Sequence, residues 1–261
     1  MKETTMTEDL YMQLTEALRR RQLVAVATVL AGPGLGNKML LWPNGQRVGT
    51  LGKAQLDAQV IERAQSAFQS LKSERFPVSL AQEHSAAAEN STAESGEETV
   101  DLFLEIYAPP AKLLIIGAVH IAIPLVTFAN ALGFETQVLD ARSAFATEER
   151  FHHADHLAIG WPADTLTEMP LDEATYLVFL THDEKIDNPA LAVALHSNAR
   201  YIGALGSRKT HAKRVDALLE MGVPEEAINR IHAPIGLNIG ARRPEEIAVA
   251  IMGQIVQVMN Q

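Results

Sequence analysis

The stretch Leu113–Ala122, LLIIGAVHIA, decides the fold, because a short aliphatic run there ends in a glycine and a helical pattern follows. A second aliphatic run ends with Asp140, 23 residues after Gly117, in the sequence VLDAR. A glycine after the first strand and an acid after the second are the two ends of the dinucleotide-binding fingerprint. Val119 and Ala122 replace the other two glycines of that fingerprint. The stretch therefore predicts a Rossmann-like turn with a narrowed phosphate groove.

From this stretch to the end of the chain, short aliphatic runs alternate with helical patterns. The runs predict six strands, at Leu113–Ile116, Thr136–Leu139, His156–Ile159, Tyr176–Leu180, Tyr201–Leu205 and Arg230–His232. The patterns predict four helices, at Ile121–Leu132, Asn188–Asn198, Ser207–Met221 and Pro244–Met259. Gly133 and Gly222 follow two of these helices, where a positive φ is expected. Such alternation implies right-handed βαβ units, so we expect an α/β, doubly wound parallel sheet in residues 109–261.

The preceding residues, 1–108, predict a smaller α+β domain. Its predicted elements are an amphipathic helix and a buried strand, two extended runs around Asn44-Gly45, and a second helix: Thr7–Arg21, Leu23–Leu30, Lys38–Trp42, Gln46–Leu51 and Gln55–Leu71. An Asn-Gly pair between two extended runs indicates a hairpin.

The boundary between the two domains is expected at Ala108-Pro109-Pro110, since two prolines favour extended geometry and remove ladder donors. The segment Glu83–Glu98 carries five glutamates and no Lys or Arg, which predicts a flexible acidic loop. Thr99–Tyr107 alternates like a strand, and we expect it to pair with the segment that precedes the loop.

The composition excludes several classes of protein. The 261 residues are 47% hydrophobic with a formal charge of −10, which argues against a disordered chain and against nucleic-acid binding. The chain has no cysteine, so disulfides, thiol catalysis and thiolate-bound metals are excluded. The apolar runs are too short to span a membrane, and the first residues lack a signal pattern. The cytoplasm is the expected compartment.

Two glycine-rich turns follow late strands and are candidate anion sites. In YIGALGSR, the run Gly206-Ser207-Arg208 combines free amides, a hydroxyl and a guanidinium, which suit a phosphate. In APIGLNIGA, Gly236 and Gly240 are expected to shape a loop that closes over the carboxyl edge of the sheet. The remaining cations of the late helix are expected on a solvated face: Lys209, Lys213 and Arg214.

Two histidine-containing segments have competing interpretations. His182, Asp183 and Asp187 lie after a strand and could transfer protons, or His182 could be a hydrogen-bonded loop residue. The segment FHHADH, with His152, His153 and His156, lacks the spacing of a metal site, and we predict no metal there.

Taken together, LLIIGAVHIA, VLDARSAF, RFHHAD, LTHDEKID, YIGALGSRKT and APIGLNIGARRPEEIAVAI resemble the C-terminal domain of the XdhC/CoxI family. The blocks occur in the family's order from Lys112 onward. The segment AVATVLAGPGLGNKMLLWPNGQRVGTLG resembles the family's N-terminal domain more loosely. The resemblance implies a chaperone for maturation of molybdenum hydroxylases, which binds the molybdenum cofactor, protects it during sulfuration and delivers it to the apoenzyme.

The resemblance implies a cofactor site at the carboxyl edge of the Rossmann-like sheet. The protein is expected to bind the cofactor with its first turn and its closing loop, and to contact the hydroxyls or amines and the phosphate of the ligand. The residues expected to do so are Gly117, His120, Asp140, Arg142, Gly206, Ser207, Arg208, Gly236 and Gly240. Asp140 could instead pair with Arg142. The implied partners are a molybdenum hydroxylase apoenzyme and a cysteine desulfurase, and a homodimer is expected.

The chain departs from the family pattern at three places. Typical members have a Gly-Gly-Cys stretch where this chain reads Thr50–Gln55, TLGKAQ, so no thiol can bind molybdenum there. The family's GAGH is GAVH here, with Val119, and the aspartate of PIGLDIGA is Asn238. Two other functions stay open at this point: an NAD(P)-dependent oxidoreductase that uses His182 as acid or base, and a nucleotide-binding scaffold without catalysis.

Overall fold

The computed structural model describes residues 3–80 and 98–261, with side chains described from residue 8 and, after the gap, from residue 99. Most of the predicted acidic loop, Glu83–Glu98, lies outside the described residues. The chain forms two compact units, Met1–Pro109 and Pro110–Gln261.

The first unit is an antiparallel sheet with a helix on each face. Its elements are α1 (Glu3–Arg19), β1 (Val24–Ala31), β2 (Lys38–Leu41), β3 (Arg47–Gly49), α2 (Ala54–Ser70), β4 (Glu74–Leu80) and β5 (Glu98–Tyr107). The strand order is β3-β2-β1-β5-β4. Alternate residues of β1 face opposite sides: Val24 and Val26 pack with α1, whereas Ala25 and Ala27 pack with α2.

The predicted pairings of this sheet are confirmed. β2 and β3 form the hairpin around Asn44-Gly45, where Gly45 has a φ of 82°. β5 pairs with β4, so the strand after the acidic segment does return to the segment before it. β4 itself was not predicted, because Pro77 interrupts its alternating pattern; it lies beside β5 at the edge of the sheet, where a missing amide donor is tolerated.

The second unit is a six-stranded parallel sheet with helices on both faces. Its strands are β6 (Lys112–Ile116), β7 (Glu135–Asp140), β8 (His156–Ile159), β9 (Thr175–Phe179), β10 (Tyr201–Ala204) and β11 (Ile231–His232). Its helices are α3 (Ala122–Ala131), α4 (Glu148–Phe151), α5 (Pro162–Thr167), α6 (Glu184–Leu195), α7 (Arg208–Glu220), α8 (Glu225–Ile228) and α9 (Pro244–Met259). The expected α/β class, with a Rossmann-like parallel sheet and a smaller antiparallel domain, is confirmed.

The strand order, β11-β10-β9-β6-β7-β8, reverses direction between β6 and β9. The chain starts at β6, winds outward through β7 and β8, and then returns to the other side of β6, which is the doubly wound order of dinucleotide-binding domains. Leu113 and Ile115 of β6 point into the core beneath α3 and α9. Leu114 and Ile116 point into the core beneath α6 and α7.

The predicted helices of this unit are confirmed, although one begins earlier than expected. Helix α6 starts at Glu184 rather than at Asn188, because the Asp183 carboxylate accepts a hydrogen bond from the Lys185 amide and caps it. Pro189 lies within its second turn. The short helices α4, α5 and α8 were not predicted, since four to six residues are too few for a helical period to be visible.

Within the described ranges, no helix combines the length and the apolar character needed to cross a membrane.

Candidate functional site

The candidate site lies where the parallel strands end, on both sides of the reversal point. In open α/β sheets, ligands bind at the carboxyl ends of the strands next to such a point. Here the relevant segments follow β6, β7, β9, β10 and β11. All of the residues predicted for the cofactor site lie in these segments.

The turn after β6 is shaped by a close approach to the end of β9. Gly117 has a φ of 110°, and a Cβ atom on it would lie 2.9 Å from Thr181 Cγ2 and 3.0 Å from the Thr181 amide nitrogen. Only glycine fits this backbone at this spacing. His120 is exposed on the same turn, and Val119 is half-buried. Gly117 therefore allows the turn after β6 to pack directly against the end of β9, across the reversal point.

Asp140, at the end of β7, is fully buried and its carboxylate is saturated with donors. Oδ1 accepts hydrogen bonds from the amide and Nε of Arg142, both at 2.9 Å. Oδ2 accepts from Arg142 Nη2 and from the Ala118 amide, both at 2.8 Å. Burial alone would raise the pKa of Asp140, but the hydrogen bonds from Arg142 and Ala118 lower it overall. The acid is thus held ionised between the first and second strand ends.

This arrangement presents a cation, rather than an acid, to solvent. The Arg142 side chain is one-third exposed, and its guanidinium lies 4.4 Å from the centre of the Phe145 ring. Of the two roles considered for Asp140, the structure shows the pair with Arg142. A ligand at this strand end would meet the outer edge of the guanidinium.

A second buried acid, Asp187, lies in the first turn of α6 beneath the end of β9. Its Oδ1 accepts a hydrogen bond of 2.7 Å from Thr181 Oγ1, and the same hydroxyl accepts one from the Asp183 amide. Burial raises the pKa of Asp187 to about 6, although the Thr181 hydrogen bond and the nearby Arg214 charge lower it. Asp187 can therefore exchange a proton near neutral pH.

His182 is exposed and has a φ of 60°. The other two non-glycine residues with positive φ in the described chain, Arg21 and Leu71, follow the ends of α1 and α2, where this conformation is common. His182 instead stands between a strand and a helix cap, and the two interpretations of this residue, proton transfer and a hydrogen-bonded loop histidine, both stay predictions. A strained, exposed histidine at a strand end is a feature of functional sites.

The turn after β10 leads into the N-terminus of α7. Gly206 has a φ of 140°, and Ser207 caps the helix by accepting a hydrogen bond of 3.1 Å from the Thr210 amide. Ser207 and Arg208 are both exposed. The amides of Arg208 and Lys209 precede the first intrahelical hydrogen bond of α7, so they remain available to an anion.

Arg214 was predicted on a solvated helix face, and this prediction was wrong. Its side chain is buried, with an exposed fraction of 4%, while Lys209 and Lys213 are exposed as expected. The signal that could have identified it is its spacing, since Arg214 precedes the buried Leu218 by one helical turn. Burial lowers the pKa of Arg214, against the attraction of Asp187 and Glu184.

The loop after β11 is anchored on α9. Gly236 has a φ of 92°, its amide donates to Gln254 Oε1 at 2.8 Å, and a Cβ on it would lie 3.1 Å from Ala250. Gly240, with a φ of 75°, has open space around it, and Asn238 is exposed.

The histidines of FHHADH are engaged separately. His153 Nε2 lies 3.0 Å from the Ile123 carbonyl oxygen, and His156 Nε2 lies 3.2 Å from Glu135 Oε1. The described ranges hold no group of three or more His, Asp or Glu side chains arranged to bind a metal ion. In the first unit, the segment Thr50–Gln55 leads into α2 and is fixed by Asp57, whose carboxylate accepts a hydrogen bond from the Leu51 amide.

Comparison with known proteins gives matches over both units. The model of the XdhC Rossmann domain matches residues 113–255, and that of the XdhC and CoxI family matches residues 17–78. A crystal structure described as a xanthine dehydrogenase from Bacillus halodurans superposes with a TM-score of 0.52 at 25% identity and 95% coverage of both chains.

Three curated relatives match over shorter shares of their own length. A Bacillus subtilis protein, named as a probable xanthine dehydrogenase component, is 33% identical over 63% of this chain and 48% of its own. The molybdenum cofactor insertion chaperone PaoD of Escherichia coli is 26% identical over 58% and 41%. The uncharacterized protein YqeB of Escherichia coli is 30% identical over 85% and 40%. The chain thus spans less than half the length of these relatives.

Proposed function

We propose, from the premise that this chain belongs to the XdhC and CoxI family, that it is a maturation factor for a molybdoenzyme. It binds the molybdenum cofactor as cargo, protects it, and delivers it to an apoenzyme of the xanthine or aldehyde dehydrogenase type. The observation that carries the proposal is that one stretch, residues 113–255, both matches the Rossmann-domain model and contains the whole carboxyl-edge site. A relative over part of this stretch is a molybdenum cofactor insertion chaperone.

The chemistry of the site supports this cargo. A molybdopterin carries a phosphate, a planar pterin with hydrogen-bonding edges, and an anionic metal centre. The protein as a whole has a charge of −10, yet Arg142 and Arg208 are at least partly exposed at the carboxyl ends of β7 and β10, with β6 and β9 between them. Cations concentrated at one edge of an acidic protein give an anionic ligand a preferred place to bind.

We assign the individual roles from the geometry. Ser207 and Arg208, at the N-terminus of α7, contact the phosphate, where free amides and a helix dipole favour an anion. Arg142, held by Asp140, contacts the acidic part of the cargo. His120 lies on the turn that Gly117 permits and contacts the cargo from that side.

The loops after β11 and β9 are the remaining parts of the proposed site. Gly236 fixes the closing loop against α9, and Gly240 gives its exposed tip freedom to move. His182 and Asp183 follow β9 at the same edge of the sheet, and we assign them as the candidates for proton transfer to or from the cargo.

The absence of cysteine bears on the partners that we propose for sulfuration of the cargo. Because the chain has no cysteine, it can neither ligate molybdenum through sulfur nor carry a persulfide. We propose that a cysteine desulfurase, as a partner beside the apoenzyme, supplies the sulfido ligand. We place these encounters in the cytoplasm, and a homodimer is the assembly we expect.

The test is a pterin and molybdenum assay on protein purified anaerobically from cells that make the cofactor. After oxidation, the fluorescent pterin derivative and the metal are measured per chain, with a known carrier from the same cells as the positive control. Pterin and molybdenum near one per chain support the proposal. Both at background, with the control carrier loaded, contradict it.

A nicotinamide-dependent oxidoreductase remains the alternative to exclude, because the strand order is that of dinucleotide-binding domains. Titration with NADH and NADPH, followed by cofactor fluorescence, separates the two functions. The maturation factor is expected to leave that fluorescence unchanged.

A further inference from the structure

The buried guanidinium of Arg214 is the least satisfied charge in the carboxyl-edge site. Nη2 donates to the Leu205 carbonyl oxygen at 3.0 Å, whereas Nη1 is buried and has no hydrogen-bond partner in the described chain. A buried, unpaired donor on a charged group is costly, so proteins normally supply an acceptor. Arg214 is therefore a donor without its acceptor.

The nearest acids do not fill this role. Asp187 and Glu184 attract the Arg214 charge, but among the described residues neither forms an ion pair with it. His211, one turn earlier, has a buried Nδ1 without a partner, and the Arg214 charge lowers its pKa in addition to the effect of burial. Nη1 of Arg214 thus lacks an acceptor among the described residues, although two acids lie within electrostatic range of its charge.

The guanidinium lies beneath the turn that begins α7. Arginine side chains in a helix point back toward the helix N-terminus, and Arg214 Nη2 lies 3.8 Å from the place of a Cβ on Gly206. The tighter neighbours of that Cβ would be Thr210 Cβ and Cγ2, both at 3.2 Å. The guanidinium thus lies beside the turn whose first helical amides are free.

We propose that Arg214, rather than the exposed Arg208 alone, is the anchor for a phosphate monoester bound at the N-terminus of α7. The identity of that phosphate as part of the molybdopterin cargo rests on the proposed function above. The anion accepts from Arg214 Nη1 and from the amides of the first turn, and so completes the hydrogen bonding of the buried guanidinium. Asp187 and Glu184 attract the charge of the same guanidinium.

The experiment uses the full chain and inorganic phosphate as the probe. Arg214→Met removes the charge while keeping most of the side-chain volume, and Lys213→Met removes the same charge from the exposed neighbouring position. Phosphate affinity is measured by ³¹P NMR titration, and circular dichroism checks that each variant is folded. A hydrogen bond to a charged group is worth roughly a ten- to hundredfold change in affinity.

We expect Arg214→Met to weaken phosphate binding by roughly tenfold or more, and Lys213→Met to change it by less than about threefold. Without phosphate, Arg214→Met should change the melting temperature little, because removal of the unsatisfied buried charge offsets the loss of the Nη2 hydrogen bond to Leu205. A purely structural arginine would give the opposite pattern, with a lower melting temperature and unchanged phosphate affinity. Arg214→Lys keeps a point charge without the planar fork and should bind with intermediate affinity.

Two results overturn the proposal: equal phosphate affinity of Arg214→Met and wild type, or a wild-type protein that does not bind phosphate. A parallel pterin assay on the purified proteins separates this failure from failure of the proposed function. Wild type that binds phosphate through Arg214 but carries no pterin supports the anchor and contradicts the cargo. Wild type and Arg214→Met with equal pterin content contradict the anchor and leave the cargo standing.

Discussion

Replacing Asp187 by asparagine should change how the stability of the second unit depends on pH. The amide keeps an oxygen for the hydrogen bond from Thr181 and cannot ionise. In the wild type, burial raises the pKa of Asp187 from its ordinary 3.8 to about 6. Between these two values the folded state binds more protons than the unfolded state, so stability must fall as pH rises through this window.

The size of the effect follows from that difference in pKa. Each tenfold change in proton affinity corresponds to about 1.4 kcal/mol, so a pKa of about 6 against 3.8 gives at most about 3 kcal/mol. The full penalty of the ionised, buried carboxylate is present above the folded pKa. The stability of Asp187→Asn relative to wild type should therefore rise by about 2 kcal/mol from pH 4.5 to pH 7, because part of the total change lies below pH 4.5, and then level off.

The assay is urea unfolding at a series of pH values, followed through tryptophan fluorescence. The chain has two tryptophans, Trp42 in the first unit and Trp161 in the second. A Trp42→Phe background confines the signal to the unit that contains Asp187. Asp183→Asn, which alters an exposed cap on the same helix, is the matched control and should not reproduce the rise.

A flat difference between Asp187→Asn and wild type across this pH range would refute the reasoning. It would mean that Asp187 is ionised throughout, as an acid in direct contact with a cation would be. Carbon-13 NMR of the Asp187 carboxyl group gives the same answer without unfolding, with a midpoint expected at about 6.

Three further substitutions test the packing of the site. Gly117→Ala should lower the unfolding free energy by about 2–4 kcal/mol, since it combines a positive φ with a clash against Thr181, and thermal denaturation will show it. Asp140→Asn places an amide donor against the donors of Arg142 and the first turn; a loss of about 2–4 kcal/mol is expected in urea, and an unchanged midpoint would contradict the saturated geometry. Tyr201→Phe deletes a buried hydrogen bond to α9 and should cost only about 1 kcal/mol, because the accepting glutamine keeps its bond from the loop after β11.

The sequence was most informative where burial is continuous. Strands β6, β9 and β10 are buried on both faces, so they are visible as aliphatic runs, and β6 and β9 lie within one residue of the predicted bounds. Helix α9 was predicted at its observed bounds, since Pro244 marks its start. Strand β4 and the short helices were invisible, because a proline or insufficient length removes their periodicity.

The site was harder to predict than the fold, because side-chain burial depends on tertiary packing. The segments of the carboxyl edge followed from the ends of the predicted strands. Whether Asp140 faces a ligand or Arg142 could not be decided from spacing, since both need an acid at the same strand end. Arg214 was assigned to the surface because a charged residue among lysines is usually solvated, and only the packing of α7 on the sheet reveals otherwise.

The hydrogen bond from the Ala118 amide to Asp140 affects which ligands can compete for the turn after β6 inside a cell. A turn with free amide donors would bind whichever dinucleotide is most abundant, because occupancy follows ligand concentration. By committing that amide to its own carboxylate, the chain withdraws a donor from such molecules at the turn where they ordinarily bind. Under the proposed function, the cargo then meets less competition from abundant dinucleotides at this turn.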